Sequence, residues 1–149
     1  MATLPAVFET PMGRVDAQLT VANSSDEDRA ANGEIDPDAV RAVTLDNVVV
    51  DTGATFLSLP ANVIARLGLR TRRTLTIATA TGPATARLLG TVNLTVMGRS
   101  GAFDVLELPT GTTPLLGVIP MEALGVEPDL QNQRLRLLPE GPTDTYVTA

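Results

Sequence analysis

One aspartate in this chain sits where an aspartate is costly. The β-branched run Val48-Val49-Val50 ends in Asp51-Thr52-Gly53-Ala54-Thr55, and apolar character returns at once in Phe56-Leu57-Ser58-Leu59-Pro60. A carboxylate at the end of a buried strand must be hydrogen-bonded or titrate abnormally to be tolerated there. Gly53 permits a tight turn and close approach of another backbone or a ligand. Thr52 offers a hydroxyl that can bond across an interface. The motif occurs once. No second Asp-Thr-Gly or Asp-Ser-Gly follows, and Asp144-Thr145-Tyr146 fails at the third position.

The residues that are missing narrow the chemistry. The chain has no Cys, His, Trp or Lys. Within it this excludes disulfides, thiol nucleophiles, Ser-His-Asp triads, Cys/His zinc sites and Schiff bases. Carboxylates are left for acid–base work. A net charge of -6 and 3 % aromatic residues give no sign of a nucleic-acid surface. The 149 residues suit one domain, 1–149, with a core of useful size. No apolar run reaches membrane-spanning length. The first residues, MATLPAVFETPMGRV, lack the basic and apolar regions of a secretory leader, so a cytoplasmic location is expected.

Short strand-like runs separated by turn signals fill most of the chain. Alternation is visible over 13–21, and β-branched residues dominate 40–50. The stretch 23–38 is polar and turn-rich and reads as an exposed loop. Its acidic cluster Asp26-Glu27-Asp28 lacks the Gly and terminal Glu of a calcium loop, so solvated carboxylates are expected. Residues 60–68 fit a short helix, with Pro60 in its first turn, Val63, Ile64 and Leu67 on one face and Gly68 at its end. Arg70, Arg72 and Arg73 suit a solvated strand start. Residues 74–80 and 84–96 form a hairpin around Thr81-Gly82-Pro83, a second turn spans 97–101, and strands are expected over 103–108 and 134–138. Residues 121–125 fit another short helix ending at Gly125. Glu122 is expected on its solvated face, Asp104 and Asp129 at the surface or in turns, and Met12, Met97 and Met121 as gap-fillers. Val50, Leu57, Leu59, Leu88 and Leu115 are expected mainly in the core, and Ile77 and Ile119 in a pocket. The pattern predicts a mostly β, barrel-like domain.

A single carboxylate cannot serve one water as both acid and base. Two that share a proton can: the charged one takes a proton from water and the neutral one gives a proton to the carbonyl. The pair then owns the apparent pKa values. Here the sequence resembles the retropepsins, the retroviral-type aspartic proteases and their bacterial single-domain relatives. The resemblance is carried by Val50-Asp51-Thr52-Gly53-Ala54-Thr55, the helix-like segment after it, the hairpin centred on Gly82, Leu115-Leu116-Gly117 and the run from Met121 to Leu135. It covers residues 40–138.

The resemblance implies a closed β-barrel with one or two short helices, acting as a C2 homodimer. It implies an endopeptidase in which Asp51 of each subunit activates one water, without metal or cofactor. Thr52, Gly53 and Ala54 would support the site, Thr52 by bonding across the axis. Ile77, Ala78, Thr79, Ala80, Thr81 and Gly82 would form the flap, with Ile119 also at the substrate. Leu115, Leu116 and Gly117 would be the hydrophobic-Gly element. Its partners would be itself and an extended peptide, with neither nucleic acid nor a membrane span. The chain departs from viral members at Thr55-Phe56-Leu57 and Val118-Ile119-Pro120, where their charged network is missing, and in 23–38, which looks inserted. The tail 139–149 would add interface strand or be disordered. Other readings are a non-catalytic dimerisation or peptide-binding module of the same fold, a strand-end turn without chemistry, and a phosphate loop like that of actin-like ATPases. The last needs a larger fold than this chain can build.

Overall fold

A computed structural model describes residues 14–139. The strands are β1 (Asp16–Asn23), β2 (Ala42–Val50), β3 (Leu57–Pro60), β4 (Arg70–Thr79), β5 (Gly82–Val96), β6 (Arg99–Leu108), β7 (Leu115–Leu116), β8 (Val126–Asp129) and β9 (Arg134–Leu137). The α-helices are α1 (Ser24–Ala31), α2 (Ala61–Leu67) and α3 (Val118–Leu124), with a single 3-10 turn at Pro37–Ala39. Seven strands make one sheet in the order β1-β2-β7-β3-β6-β5-β4, and β1 pairs in addition with β5. A separate antiparallel pair, β8-β9, completes the described fold.

Alternation decides which side chains face inward. In β1, Ala17, Leu19 and Val21 are buried while Asp16 and Gln18 are exposed. Leu57 and Leu59 of β3, Leu89, Val92 and Leu94 of β5, and Val105 of β6 meet them in one core with Val48 and Leu116. Helix α2 adds Val63, Ile64 and Leu67, and α3 adds Met121 and Leu124. Both helices stop at a left-handed glycine, Gly68 and Gly125, as their sequences predict. A second, smaller apolar cluster joins Ala86, Leu88 and Leu106 with the half-buried Phe56, Leu75 and Ile77. It lies under the β4–β5 hairpin.

Several sequence expectations need correction. Residues 23–38 are only in part a loop: 24–31 form helix α1 and Pro37–Ala39 a 3-10 turn, with the mostly exposed turn 32–36 between them. Asn23 ends β1 and caps α1, its side chain accepting from the Asp26 amide at 3.0 Å and donating to the Leu67 carbonyl at 2.8 Å. Asp26 is buried, not solvated. Its carboxylate accepts from the Arg41 backbone N–H (3.1 Å), Nε (2.8 Å) and Nη2 (3.0 Å). That grip holds its pKa down to about 2, chiefly through the Arg41 side chain. Glu27 in turn accepts from Asn93 at 2.6 Å. Met97 is no gap-filler: it is exposed, at the positive-φ position of the β5–β6 turn. That turn is shorter than expected, so Arg99 already belongs to β6. Helix α3 starts three residues early, at Val118, because Gly117 can serve as its N-cap residue. Met121 packs in the core and Glu122 is exposed, as expected; Asp129 is the last residue of strand β8, accepting from Asn132 of the turn that follows. Met12 and the tail beyond Pro139 lie outside the described residues.

Candidate active site

Asp51 is fixed by the backbone on both sides. Strand β2 delivers it between neighbours: β2 pairs with β7 in parallel, Val49 opposite Leu115 and Val50 opposite Leu116. The Val50 amide donates to the Val15 carbonyl at 2.8 Å, and the Asp51 amide to Leu116 at 3.0 Å. The chain then turns sharply. The Ala54 amide returns to the Asp51 carbonyl at 3.1 Å, and the Gly53 amide donates to Asp51 Oδ1 at 2.8 Å. A β-carbon built on Gly53 would stand 3.2 Å from that oxygen, tighter than ordinary contact. Glycine therefore lets the carboxylate and its amide donor approach.

The second half of the chain grips the same loop. The first two amides of α3, Val118 and Ile119, donate to the carbonyls of Ala54 (2.8 Å) and Thr55 (2.9 Å). The active-site loop thus satisfies helix-start donors that have no partner inside the helix. The approach is close enough that Gly117 admits no side chain. An added β-carbon would overlap the Phe56 carbonyl oxygen and stand 2.7 Å from the Ala54 oxygen and 2.9 Å from the Phe56 nitrogen. This is the physical need behind Leu115-Leu116-Gly117. Leu116 is fully buried beneath the loop, and half-buried Leu115 faces the cleft.

Asp51 opens on a cavity of about 540 Å³. Its lining includes Gly53, Ala54, Thr55, Phe56, Ser58 and Leu115 below, Leu106 and Leu108 from β6, and Leu75, Thr76, Ile77 and Ala78 from β4. Of the residues singled out in sequence, the structure therefore brings Asp51, Gly53, Ala54, Ile77, Ala78 and Leu115 together. Thr52 is exposed at the turn beside them. Thr79, Ala80, Thr81 and Gly82 form the hairpin tip and do not line this cavity. There the Thr79 hydroxyl donates to the Gly82 carbonyl at 2.6 Å. Ile119 lies elsewhere, in a neighbouring cavity of about 240 Å³ with Arg73, Leu88, Phe103 and Asp104. Phe56 is a wall of both. Sequence reading overlooked Ser58, Leu75, Thr76, Leu106 and Leu108. The period-2 alternation of β3, β4 and β6 was the signal for them, once the strands were paired.

Charge around the cleft is sparse. Among the described residues no cluster of three acidic groups could hold a metal ion. Asp104 accepts from Thr91 at 3.2 Å and stands 4.0 Å from Arg72. Arg87 and Glu107 form a two-pronged pair (2.9 and 2.7 Å) that lowers the Glu107 pKa. No described helix is long and apolar enough to cross a membrane.

The family model described as "Aspartyl protease" matches residues 41–118, just over half of the chain, from Arg41 through the Asp51 loop and hairpin to the start of α3. The chain belongs to the aspartyl protease family. Among solved structures it is similar to one titled "EIAV protease complexed with the inhibitor HBY-793", with a TM-score of 0.44 and 24 % identity, over 53 % of this chain and 76 % of that one. No curated protein matches the sequence.

Proposed function

We propose that this chain is an aspartic endopeptidase whose active unit is a C2 homodimer, with one Asp51 from each subunit. The observation that carries the reading is Asp51 itself: a half-buried carboxylate, fixed by backbone at a strand end, with one amide donor at 2.8 Å and an open cleft beside it. The chain contains one such motif, so a working pair needs a second copy. Exposed Thr52 lies where a facing subunit could reach it. The pairing of β1 with both β2 and β5 supports a barrel closed on itself.

In this mechanism the two Asp51 side chains share one proton. The charged carboxylate removes a proton from water, and the oxygen adds to the scissile carbonyl carbon. The neutral carboxyl gives its proton to the carbonyl oxygen, forming a tetrahedral diol. Collapse of the diol returns a proton to the leaving nitrogen and breaks the C–N bond. Strand β4 above and β6 below form a slot that suits an extended peptide. The apolar lining favours apolar side chains flanking the cut bond.

The test compares wild type with Asp51→Asn on a mixed peptide library from about pH 3 to pH 7. Cleavage by the wild type alone, fastest on the acid side, supports the reading. Cleavage by both proteins or by neither overturns it. Sedimentation equilibrium supplies the second arm: an active species that is strictly monomeric rules out a shared pair.

A further inference from the structure

Residues directly opposite one another in paired strands share a face of the sheet. In the β4–β5 hairpin Ile77 stands opposite Ala84, Leu75 opposite Ala86 and Arg73 opposite Leu88. Ile77, Leu75 and Arg73 therefore form one row along β4, on the face where Ala86 and Leu88 cluster with Phe56. The first two line the Asp51 cavity. Arg73 lines the neighbouring cavity with Phe103 and Ile119, and Phe56 is a wall of both. The row thus leads from the Asp51 cleft to an exposed cation.

That cation has no carboxylate of its own. The chain carries 17 acidic residues against 11 basic ones, and Arg14, Arg29, Arg41, Arg87 and Arg136 each pair with an acid. Among the described residues no carboxylate pairs with Arg73. Asp104 lines the same cavity, but it accepts from Thr91 at 3.2 Å and stands 4.0 Å from Arg72. An exposed, unpaired guanidinium keeps its planar fork of donors for a carboxylate from outside. Strand β4 is also an end strand of its sheet, so its outer backbone groups are open to an added strand. A peptide laid there keeps step with β4, about 6.7 Å for every two residues.

We propose that Arg73 reads an acidic side chain of the substrate, about four residues along the peptide from the one seated against Ile77. The substrate class is an extended segment with Asp or Glu at that distance from its cleavage point. The inference rests on the peptidase reading for its cleavage arm, while its binding arm stands apart from it.

Extended peptides of Thr and Val around a central Leu-Phe bond carry Glu, Gln or Lys at one position, moved stepwise from about two to six residues away on either side. They are assayed on wild type, Arg73→Gln, Arg73→Glu and Arg66→Glu, the last replacing an exposed cation of α2 that lines neither cavity. The same peptides are titrated onto the Asp51→Asn form of each protein, which reports binding without turnover. Wild type is expected to prefer Glu over Gln by about threefold at one or two neighbouring positions, the scale of a solvent-exposed ion pair. The gain should fall in KM and in Kd with kcat unchanged, because the carboxylate lies away from the reacting atoms. It should vanish at about 1 M salt. Arg73→Gln is expected to erase the preference, Arg73→Glu to turn it toward Lys, and Arg66→Glu to leave it as it was. A Glu preference that survives Arg73→Gln overturns the proposal, as does the lack of any Glu preference in wild type. So does an equal change in Arg66→Glu, which would make the field of the whole protein responsible. Should Arg73→Glu fail to fold, Arg73→Gln decides alone. Peptides bound with an Arg73-dependent preference but never cut leave the acidic contact standing and remove the peptidase reading. Cutting with a ranking blind to residue 73 removes the contact alone. Neither binding nor cutting overturns both.

Discussion

Asp26 and Asp51 each follow the end of a strand, and the fold treats them in opposite ways. Asp26 comes after β1, is nearly sealed from water and receives three hydrogen bonds from Arg41. Asp51 comes after β2, stays half-buried and receives from Gly53 on one oxygen, while its cavity stays open. A carboxylate with its acceptor capacity filled and its charge matched can only hold structure. One held by backbone on a single side keeps lone pairs free for water, substrate or a second carboxylate. The difference lies in the partner. Arg41 reaches Asp26 across fifteen positions of sequence, whereas among the described residues no cation pairs with Asp51.

The comparison can be broken by mutation. The largest expected effect is Asp51→Asn, which should cut peptide hydrolysis by about a thousandfold or more and leave the melting temperature nearly unchanged. A large loss of stability would show that Asp51 is structural after all. Next comes Gly117→Ala. With backbone on three sides of the added carbon, the loop or α3 must shift, at a cost of about 3 kcal/mol by denaturant melt. Activity should fall with it.

Asp26→Asn should lose about 2 kcal/mol, the scale of hydrogen bonds to a charged group whose partner stays half in water. For a domain of this size that is roughly 4–8 °C in Tm. Well below the melt, its cleavage rate should match wild type. A pH effect goes with it. Asp26 has a folded pKa of about 2 against 3.8 as the ordinary value. Its folded state binds the proton less tightly than the unfolded one, so its contribution is full above about pH 4 and fades as pH falls toward 2. Acid titration of wild type and Asp26→Asn should converge over that window. Parallel curves would show that Arg41 does not depress the Asp26 pKa. The smallest effect is expected from Glu107→Gln. It breaks a pair whose arginine is half exposed, so less than about 1 kcal/mol should be lost.

The Asp51 side of this comparison was legible in the sequence and the Asp26 side was not. Asp-Thr-Gly, the Leu-Leu-Gly element and the Gly68 and Gly125 stops are local patterns with local causes, and the structure keeps them. Helix α1 has no apolar face to give a helical period. It is held by the Asn23 cap, by acidic residues in its first turn and by a salt bridge to a distant arginine. The pattern Asn23-x-x-Asp26 before Glu27, with Arg29 in the last turn, was the available signal. It was outweighed by the polarity of the stretch. Ser58 was hidden for a different reason: the residues opposite it, Leu115 of β7 and Leu106 of β6, are set by strand pairing, which a single sequence does not show.

The backbone bonds that join the Asp51 loop to β7 and α3 have a consequence for hydrogen exchange. The amides of Asp51, Val118 and Ile119 are all closed by carbonyls from the opposite half of that joint. None can meet solvent deuterium unless the loop parts from Leu116 or from the start of the helix. These three protons should therefore exchange slowly, at one shared rate, while the amides around Ala80 and Thr81 at the hairpin tip exchange first.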